Sequence, residues 1–391
     1  MKWQLKNLCI ASVVAVSLLS GSVWALEVDR EVMPRIQLGG RVMASVDGVD
    51  LDAEPDQESG LNLSDSSLLA RFDKRLYAKG VGGATVGLTE NGDNVVFHQL
   101  YGFYWNRDMA ISIGRTRLRN TLLELPLMRD DDLLAYSHVG NASSNEEFDQ
   151  LYADQLSFDW FVDQKIQRVG MWVGTRRNSL AGAAEGFDSF GFGYVYEQPV
   201  DLRYVKRLRH AGVLMDAQKI ETAADSEWLQ AWIAGGETNL NLDPRHSWSL
   251  AGQLIANGGI DGVPAAGLLH GDANVVSQRA ASQSTSLVLA LRHTARPQLL
   301  TRYQAGLIAA YKDYADISDG SQWSLAASAF YRLGQGMDML AQLKYTDYGA
   351  GLGGGNDTVA QVGLAFSFDA RFNDTIGERD SILNLEHGYI Q

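Results

Sequence analysis

The side chains that could perform chemistry in this sequence are scattered, and their spacing matches no catalytic or metal-binding motif. The seven histidines include no pair four residues apart, the spacing that sets two imidazoles on one helix face around a metal ion. There is no Gly-x-Ser-x-Gly motif for a serine nucleophile. The glycine-rich run 349–354 has the spacing of a dinucleotide loop, but a strand-like segment follows it, where a helix is required. We therefore expect no enzyme, no cofactor and no metal site.

Charged side chains at alternate positions are the remaining candidates. Arg115 and Arg117 would share one face of a strand, as would Arg71 and Arg75, because side chains two residues apart in a strand point the same way. The chain carries 47 acidic and 33 basic residues, a formal net charge of −14. This acidity argues against nucleic acid as a partner, since phosphate binding needs clustered lysine and arginine. What the arginines can do depends on the elements that hold them.

The N-terminal segment has the pattern of a cleaved export signal. Lys2 and Lys6 precede an apolar stretch that extends over 8–19, and small residues follow up to Ala25. The apolar stretch is too short to cross a bilayer as a helix, which takes about 20 residues. We predict cleavage after Ala25. The only cysteine, Cys9, lies inside this signal, so the mature chain would have no disulfide.

From residue 34 onward the dominant pattern is strict alternation. An apolar row alternates with a small or polar row in 36–46, 247–254 and 361–368, which indicates a sheet with two different faces. About sixteen such segments can be counted, within a range of fourteen to eighteen. We place them at 34–46, 66–79, 82–90, 94–106, 109–117, 149–161, 164–176, 187–197, 199–210, 226–238, 246–257, 279–294, 300–313, 321–334, 337–348 and 357–369.

The connections between these segments alternate in length. Very short turns are predicted at 333–336 and 198–199, whereas 47–65, 118–148 and 258–278 are long and polar. Short turns on one rim and long loops on the other are typical of transmembrane barrels. The predicted fold class is all-β: an antiparallel up-and-down transmembrane β-barrel. A soluble β-rich protein, with its apolar face packed in a core, is the alternative; strands of ten or more residues favour the barrel.

The last alternating segment carries a recognisable motif. Gln361, Gly363, Phe366 and Phe368 stand at the polar, glycine and aromatic places of a pattern that resembles the assembly signal on the final strand of bacterial outer-membrane barrels. The resemblance implies recognition by barrel-assembly machinery through strand addition. It also implies a barrel that ends at Phe368. The expected organisation is then a signal peptide at 1–25, a barrel at 26–368 and a periplasmic tail at 369–391.

A second resemblance concerns the strand over 109–117. Ile111–Arg115 followed by a long segment resembles Gram-negative outer-membrane porins, in many of which a loop after an early strand folds inward and narrows the pore. The resemblance implies that 119–147 is this loop. Acids on it would face basic residues of the wall across a constriction, and such rings of charge select solutes. The expected acids are Glu124, Asp130, Asp131 and Asp132, and the expected wall residues are Arg41, Arg71, Arg75, Arg115 and Arg117. Alternatively, 130–132 is a solvated loop tip.

The sequence therefore predicts an outer-membrane porin for passive diffusion of small hydrophilic solutes, without a cofactor. Its expected partners are outer-membrane lipid, the solutes, the assembly machinery and, as in many general porins, two further copies in a homotrimer. A substrate-specific channel that prefers anions is the alternative within transport. A structural or surface-binding barrel is the alternative outside it, and an outer-membrane hydrolase with distant triad residues comes last.

Overall fold

The computed structural model describes the parts of the chain that form the sheet and most of its turns. The described residues are 34–51, 60–62, 66–76, 80–91, 94–117, 122, 152–162, 167–175, 187, 189–197, 207–221, 226–243, 245–258, 283–296, 302–334 and 336–372. The predicted signal peptide lies outside them. Among the described residues, no helix is long and apolar enough to cross a membrane.

Sixteen long strands and one short strand make up the described structure. They are β1 (Arg35–Leu51), the short β2 (Gly60–Asn62), β3 (Ser67–Arg75), β4 (Val81–Asn91), β5 (Asn94–Trp105), β6 (Met109–Arg117), β7 (Tyr152–Val162), β8 (Gln167–Thr175), β9 (Ser189–Glu197), β10 (Leu208–Glu221), β11 (Ser226–Asn239), β12 (His246–Asn257), β13 (Ser284–Ala295), β14 (Tyr303–Tyr314), β15 (Ser321–Gly334), β16 (Met337–Tyr348) and β17 (Asn356–Phe372). A 3-10 turn, Ala350–Leu352, lies between β16 and β17.

The sheet is closed. Each long strand pairs antiparallel with its neighbours in sequence, and β17 returns to pair with β1 along its whole length, from Ile36 opposite Phe372 to Leu51 opposite Asp357. The short β2 pairs with Ser45–Asp47 of β1. This part of β1 lies beyond the segment that pairs with β3, which is Arg35–Arg41. Closure removes the unpaired edges that an open sheet would expose. The predicted sixteen-strand antiparallel barrel is confirmed.

The connections divide between the two rims as the sequence predicts. At the rim where β1 begins and β17 ends, they cover 76–80, 106–108, 163–166, 198–207, 240–245, 296–302 and 335–336. The opposite rim has the longest connections, 118–151, 176–188 and 258–283. The two-residue turn at 335–336 depends on Gly336, whose φ is +73° and where a Cβ would lie 2.3 Å from the Ser367 carbonyl oxygen. In transmembrane barrels the short turns face the periplasm.

Three predicted boundaries are corrected. β1 extends to Leu51, so residues 47–51 of the predicted long connection 47–65 belong to a strand. The segment at 199–210 is wrong, because the strand there is Leu208–Glu221 and the connection before it covers 198–207 rather than two residues. The alternation in 208–221 is weak because Leu214 is a large apolar residue on the inward face, so both faces carry apolar side chains. The barrel also continues past Phe368: β17 pairs with β1 for four more residues, to Phe372.

The outward face of the barrel is apolar and has two aromatic belts. On β15, Trp323 and Tyr331 lie eight residues apart on the same face. At about 3.4 Å per residue and a tilt near 40°, they are separated by roughly 21 Å of membrane depth, close to the ~25 Å apolar band of transmembrane barrels. Trp323 packs against Tyr345 of β16 at 5.3 Å between ring centroids, and Phe192 packs edge-on against Trp232 at 5.8 Å.

Candidate functional site

The inward face of the barrel is lined mainly by polar side chains. On β12 and β13, serine, glutamine, threonine and arginine occupy the positions between the exposed leucines. On the same strands, the small residues Ala251 and Ala290 occupy other inward positions. The residues enclosed by the sheet therefore include many hydrogen-bonding groups, in contrast to the apolar outer face.

An apolar patch interrupts this polar lining on five consecutive strands. Trp172 of β8, Val195 of β9, Leu214 of β10, Ile233 of β11 and Ile255 of β12 all occupy inward positions. Such residues would expose apolar surface to water unless another part of the chain covered them.

Leu122 covers this patch. It lies five residues beyond the end of β6, is 2% exposed, and belongs to the same buried cluster as the five wall residues. In the sheet, β6 is four strands from β10 and six from β12. Leu122 therefore lies inside the barrel, against a wall formed by strands that come later in the chain. We call this contact the Leu122 landing.

Two hydrogen bonds fix the backbone at the Leu122 landing. The Leu122 amide donates to the Gln253 side-chain oxygen at 2.6 Å, and the carbonyl of Leu122 accepts from Nε2 of His210, also at 2.6 Å. Because a carbonyl oxygen can only accept, Nε2 of His210 carries the proton. A buried backbone group without a partner is costly, so this pair of bonds makes burial of the loop backbone tolerable.

A group of charged side chains lies next to the landing, on the side towards the rim where β1 begins and β17 ends. We call Arg209, Arg292, Arg296, His210 and Glu237 the lumen charge cluster. The Glu237 carboxylate is buried and accepts from Nη1 of Arg209 at 2.7 Å. Nη1 of Arg292 and Nδ1 of His210 each lie 3.9 Å from its oxygens. Arg296 donates to the Ser247 hydroxyl at 3.0 Å.

A local irregularity of β10 brings Arg209 into this cluster. Leu208 pairs with Thr238 and His210 with the next residue, Glu237, so Arg209 is an extra residue in the strand. A bulge of this kind bends the strand and re-aims a side chain, which lets Arg209 and His210 both reach Glu237.

The arginines of the cluster are close enough to influence one another. Arg296 follows the last residue of β13, in the turn. Burial, together with the positive charges of Arg209 and Arg292, lowers the pKa of Arg296, whereas Glu237 acts in the opposite direction. The guanidinium groups of Arg209, Arg292 and Arg296 therefore lie close together on this part of the inner wall.

Of the predicted wall arginines, Arg71 belongs to a second network, on β1 and β3. Nε of Arg71 lies 2.8 Å from the Asp73 carboxylate, and its guanidinium lies 4.6 Å from the centre of the Phe103 ring. Arg35 binds the same carboxylate through Nε at 2.9 Å and Nη2 at 2.7 Å. All of these groups are on the inward face, and the two arginines share one acid.

Arg41 and Arg75 are not part of that network. Arg41 lies on the inward face of β1 and donates to the Met43 sulfur at 3.3 Å. Arg75 is the last residue of β3 and is exposed at the rim.

Arg115 lies on the outward face, where the sequence analysis expected a pore-lining residue. Its guanidinium binds the Asp154 carboxylate on β7 through Nε at 3.0 Å and Nη2 at 3.2 Å. Arg115 follows Ile113 in the row that is outward on β6, and the inward row contains Ser112 and Gly114. This placement corrects the expectation for Arg115. Arg117 is the last residue of β6, and its side chain lies outside the described part of the structure.

The expected acids of the inward loop, Glu124 and Asp130–Asp132, lie outside the described residues. The residues of the assembly motif are all described and have the expected faces. Gln361 and Gly363 are buried on the inner face of β17, whereas Phe366 and Phe368 are 52% and 41% exposed on the outer face. The Phe368 ring lies over Gly40 of β1, where a Cβ would be 2.6 Å from it. Within the described residues, no three His, Cys, Asp or Glu side chains are grouped so that they could hold a metal ion.

The sequence analysis did not identify the Leu122 landing or the lumen charge cluster. A signal for part of the cluster was present: Arg292 stands in the polar row of β13, in phase with Ser284, Ser286 and Thr294. Arg209 had no such signal, because the bulge changes its phase. Likewise, a leucine soon after a strand gives no indication that it packs against five distant strands.

Neither a protein-family model nor a curated protein sequence matches this chain. Solved structures do share its fold. It is similar to the anion-selective porin from Comamonas acidovorans, with a TM-score of 0.60 and 14% identity over 86% of this chain and 100% of that one. It is also similar to the outer-membrane channel DcaP of Acinetobacter baumannii, with a TM-score of 0.58 and 10% identity over 86% and 97% of the two chains.

A third similar structure is the trimer form of OmpT, an outer-membrane protein of Vibrio cholerae. Its TM-score is 0.57, with 9% identity over 86% of this chain and 99% of that one. At these identities the likeness concerns the fold, and the fold is the closed barrel of outer-membrane porins.

Proposed function

We propose that this protein is a porin, a passive channel through which small hydrophilic solutes cross a bacterial outer membrane. The observation that carries the proposal is the opposite polarity of the two faces of one closed sheet. The outer face is an apolar surface with aromatic belts, as contact with lipid requires. The inner face carries serine, glutamine and charged side chains, which favour a water-filled passage.

The Leu122 landing supports a narrowed passage rather than a uniform tube. Leu122, in the long 118–151 connection, contacts the inner wall at β10 and β12 and so occupies part of the cross-section. Passive diffusion uses no catalytic residue and no cofactor, in agreement with the scattered histidines of the sequence. A constriction made by an inward loop also gives a size limit for solutes.

Three further assignments belong to the proposal. The fold supports location in the outer membrane, and the pattern of residues 1–25 supports export by a signal that is cleaved after Ala25. The aromatic motif at 361–368 supports recognition by the barrel-assembly machinery. A homotrimer agrees with the trimer form of the similar Vibrio cholerae protein.

Swelling of proteoliposomes tests the channel and its size limit together. Liposomes containing the refolded protein are diluted into isotonic solutions of a pentose, a disaccharide or a tetrasaccharide. We expect fast swelling with the pentose and progressively slower swelling with the larger sugars. Protein-free liposomes are the control. If no sugar caused swelling, a structural or surface-binding barrel would be the better interpretation; equal rates for all sugars would contradict the narrowing.

A further inference from the structure

We propose that a patch on the outer surface of the barrel, at the rim with the short turns, binds the headgroup of an anionic phospholipid. We call this surface the rim patch. Its side chains come from β12, β13, β14 and β15 and from the last residue of the turn before β14: His246, Trp248, His293, Arg302, Tyr303 and Tyr331. The inference goes beyond the proposed function, because a lipid site outside the barrel does not depend on conduction through it.

The rim patch faces lipid at the depth of the headgroups. Trp248 is exposed and stands in the same outward row of β12 as Leu250. His293 pairs in register with Trp248, and Tyr303 pairs with Tyr331, which belongs to the aromatic belt near the short turns. Aromatic side chains with a polar end favour this depth, where one end meets the acyl chains and the other meets the headgroups. Because short turns face the periplasm, the lipid belongs to the periplasmic leaflet.

Ring packing holds the two histidines of the rim patch in place. His246 and His293 are stacked, with 6.0 Å between ring centroids and 9° between ring planes. The Trp248 ring lies 4.6 Å and the Tyr303 ring 5.9 Å from that of His293. An imidazole, an indole and a phenol each carry at least one N–H or O–H donor. Among the described residues, none of these four side chains donates to a protein acceptor, so their donors are available to a ligand.

Arg302 supplies the positive charge of the rim patch. Its Nε and Nη2 donate to the Tyr331 hydroxyl at 3.3 Å and 3.1 Å. Its backbone is fixed on both sides, by a 3.0 Å bond from its amide to the Ala295 carbonyl and a 2.8 Å bond from the Arg332 amide to its own carbonyl. Within the part of the chain that the structure describes, no carboxylate pairs with Arg302. A guanidinium has five N–H donors in a fork that suits phosphate oxygens, so Arg302 retains donors for a headgroup.

The outer surface beside the rim patch suits the acyl chains of a lipid. Ala305, Ala329 and Ala341 lie side by side in register on the outward faces of β14, β15 and β16. Larger exposed side chains, Leu307 and Leu325, border this row on the side of the membrane centre. A row of alanines beside larger side chains forms a shallow furrow, and an acyl chain in it would have close contacts on more than one side. The furrow and the donors together favour a lipid over a free phosphate.

Native mass spectrometry of the refolded full chain in detergent tests the site. The protein is titrated with phosphatidylglycerol, whose headgroup has one negative charge, and with phosphatidylcholine of the same acyl chains, whose headgroup has no net charge. We expect one phosphatidylglycerol per chain to bind about tenfold more tightly than phosphatidylcholine, the factor that corresponds to one charge-assisted contact. Free glycerol phosphate, added at the same concentrations, should neither bind nor displace the lipid.

Arg302→Gln removes the charge of the rim patch. We expect its affinity for phosphatidylglycerol to fall about tenfold, to that for phosphatidylcholine. Arg332→Gln is the matched control, because Arg332 follows Tyr331 at the same rim but points inward and pairs with Asp338 at 3.1 Å. Its lipid affinities should equal those of the unmodified protein. His293→Phe keeps a ring against Trp248 and removes the N–H donors, so it should weaken phosphatidylglycerol binding, though less than Arg302→Gln does. Heat-dependent gel mobility shows that each variant is folded.

The outcomes separate the lipid from other occupants of this surface. A preference for phosphatidylglycerol that is lost in Arg302→Gln and kept in Arg332→Gln supports the site. Equal affinities for the two lipids, or a preference that survives in Arg302→Gln, overturn it. Binding of glycerol phosphate as tight as that of the lipid would make the patch a site for free phosphate and overturn the lipid. If Arg302→Gln instead changed the number of chains per particle, the patch would be a contact between copies, and the lipid proposal would be wrong.

Discussion

At the scale of single residues, the face of a strand decides what an arginine can do. Arg115 has the spacing expected of a pore-lining residue, yet its side chain is outside the barrel in a pair with Asp154. The sequence contained the information needed to place it: Ile111 and Ile113 are in phase with Arg115, and apolar residues of a barrel strand face lipid. The spacing of Arg115 and Arg117 indicates that the two arginines share a face of the strand. The apolar residues in phase with them indicate that this face is the outward one.

Replacing Arg115 by alanine should therefore leave ion selectivity unchanged. The guanidinium does not reach the lumen, so the reversal potential under a tenfold salt gradient should equal that of the unmodified protein. Because the Arg115–Asp154 pair is partly exposed, with side-chain exposures of 24% and 56%, its loss should cost less than about 1 kcal/mol of stability. A shifted reversal potential would show that Arg115 contacts the permeating ions.

Leu122 is the described residue through which the 118–151 connection contacts the inner wall. Leu122→Asp would place a carboxylate among Trp172, Leu214 and Ile255, and the lost apolar contact alone costs about 2–5 kcal/mol. We expect the loop to leave the wall and the single-channel conductance to rise. Leu122→Met keeps the volume and is the control. An unchanged conductance in the aspartate variant would mean that the landing does not limit the passage.

Gln253 provides an independent measurement of the same contact. Its side-chain oxygen accepts the Leu122 amide at 2.6 Å, and Gln253→Leu would leave that buried amide without its partner, at a cost of about 1–3 kcal/mol. We expect a smaller rise in conductance than for Leu122→Asp, accompanied by more frequent transitions between conductance levels. Ser324→Ala, on the inward face of β15 away from the landing, is the control. Traces of the Gln253 variant indistinguishable from those of the control would contradict this role.

At the scale of elements, the seam between β1 and β17 closes the barrel and extends past the aromatic motif. The pairs from Ile36–Phe372 to Gly39–Asp369 lie beyond Phe368. A chain that ends at Phe372 should keep the full seam, whereas one that ends at Phe368 loses these four pairs and about 2–4 kcal/mol. The unfolding temperature, read from the heat-dependent gel mobility of the barrel, should fall only for the shorter chain. Equal unfolding temperatures would place the functional end of the barrel at Phe368.

Most elements were predictable because one physical cause, a wet face and a lipid face, produces a period of two. β12 and β15 show it clearly, and their predicted ranges, 246–257 and 321–334, agree with the structure. β10 was misplaced because Leu214 packs beneath Leu122 on the inner face, which removes the contrast between the two rows. The strand that departs from the pattern, β10, is thus one that Leu122 contacts. The contact between Leu122 and Leu214 joins residues far apart in sequence, so it leaves no periodic signal.

At the scale of the whole molecule, closure, lining and the inward loop act together. The closed sheet encloses a polar lumen, Leu122 contacts its inner wall, and the lumen charge cluster lies next to that contact. The fold class and the number of strands could be predicted from the sequence alone. The sequence did not show which part of the wall carries the inward-facing charges. Their position depends on the phase of each strand, on the bulge at Arg209 and on the contact of Leu122 with the wall, and these are visible only in the structure.

Single-channel recording tests whether the barrel is an open channel that is narrowed at the Leu122 landing. The purified protein is added to a planar bilayer in 1 M potassium chloride under a constant voltage. The account predicts discrete upward steps of uniform size, with larger steps for Leu122→Asp under the same conditions. A bilayer that stays silent, although protein is shown to have inserted by its protection from protease, would contradict the channel.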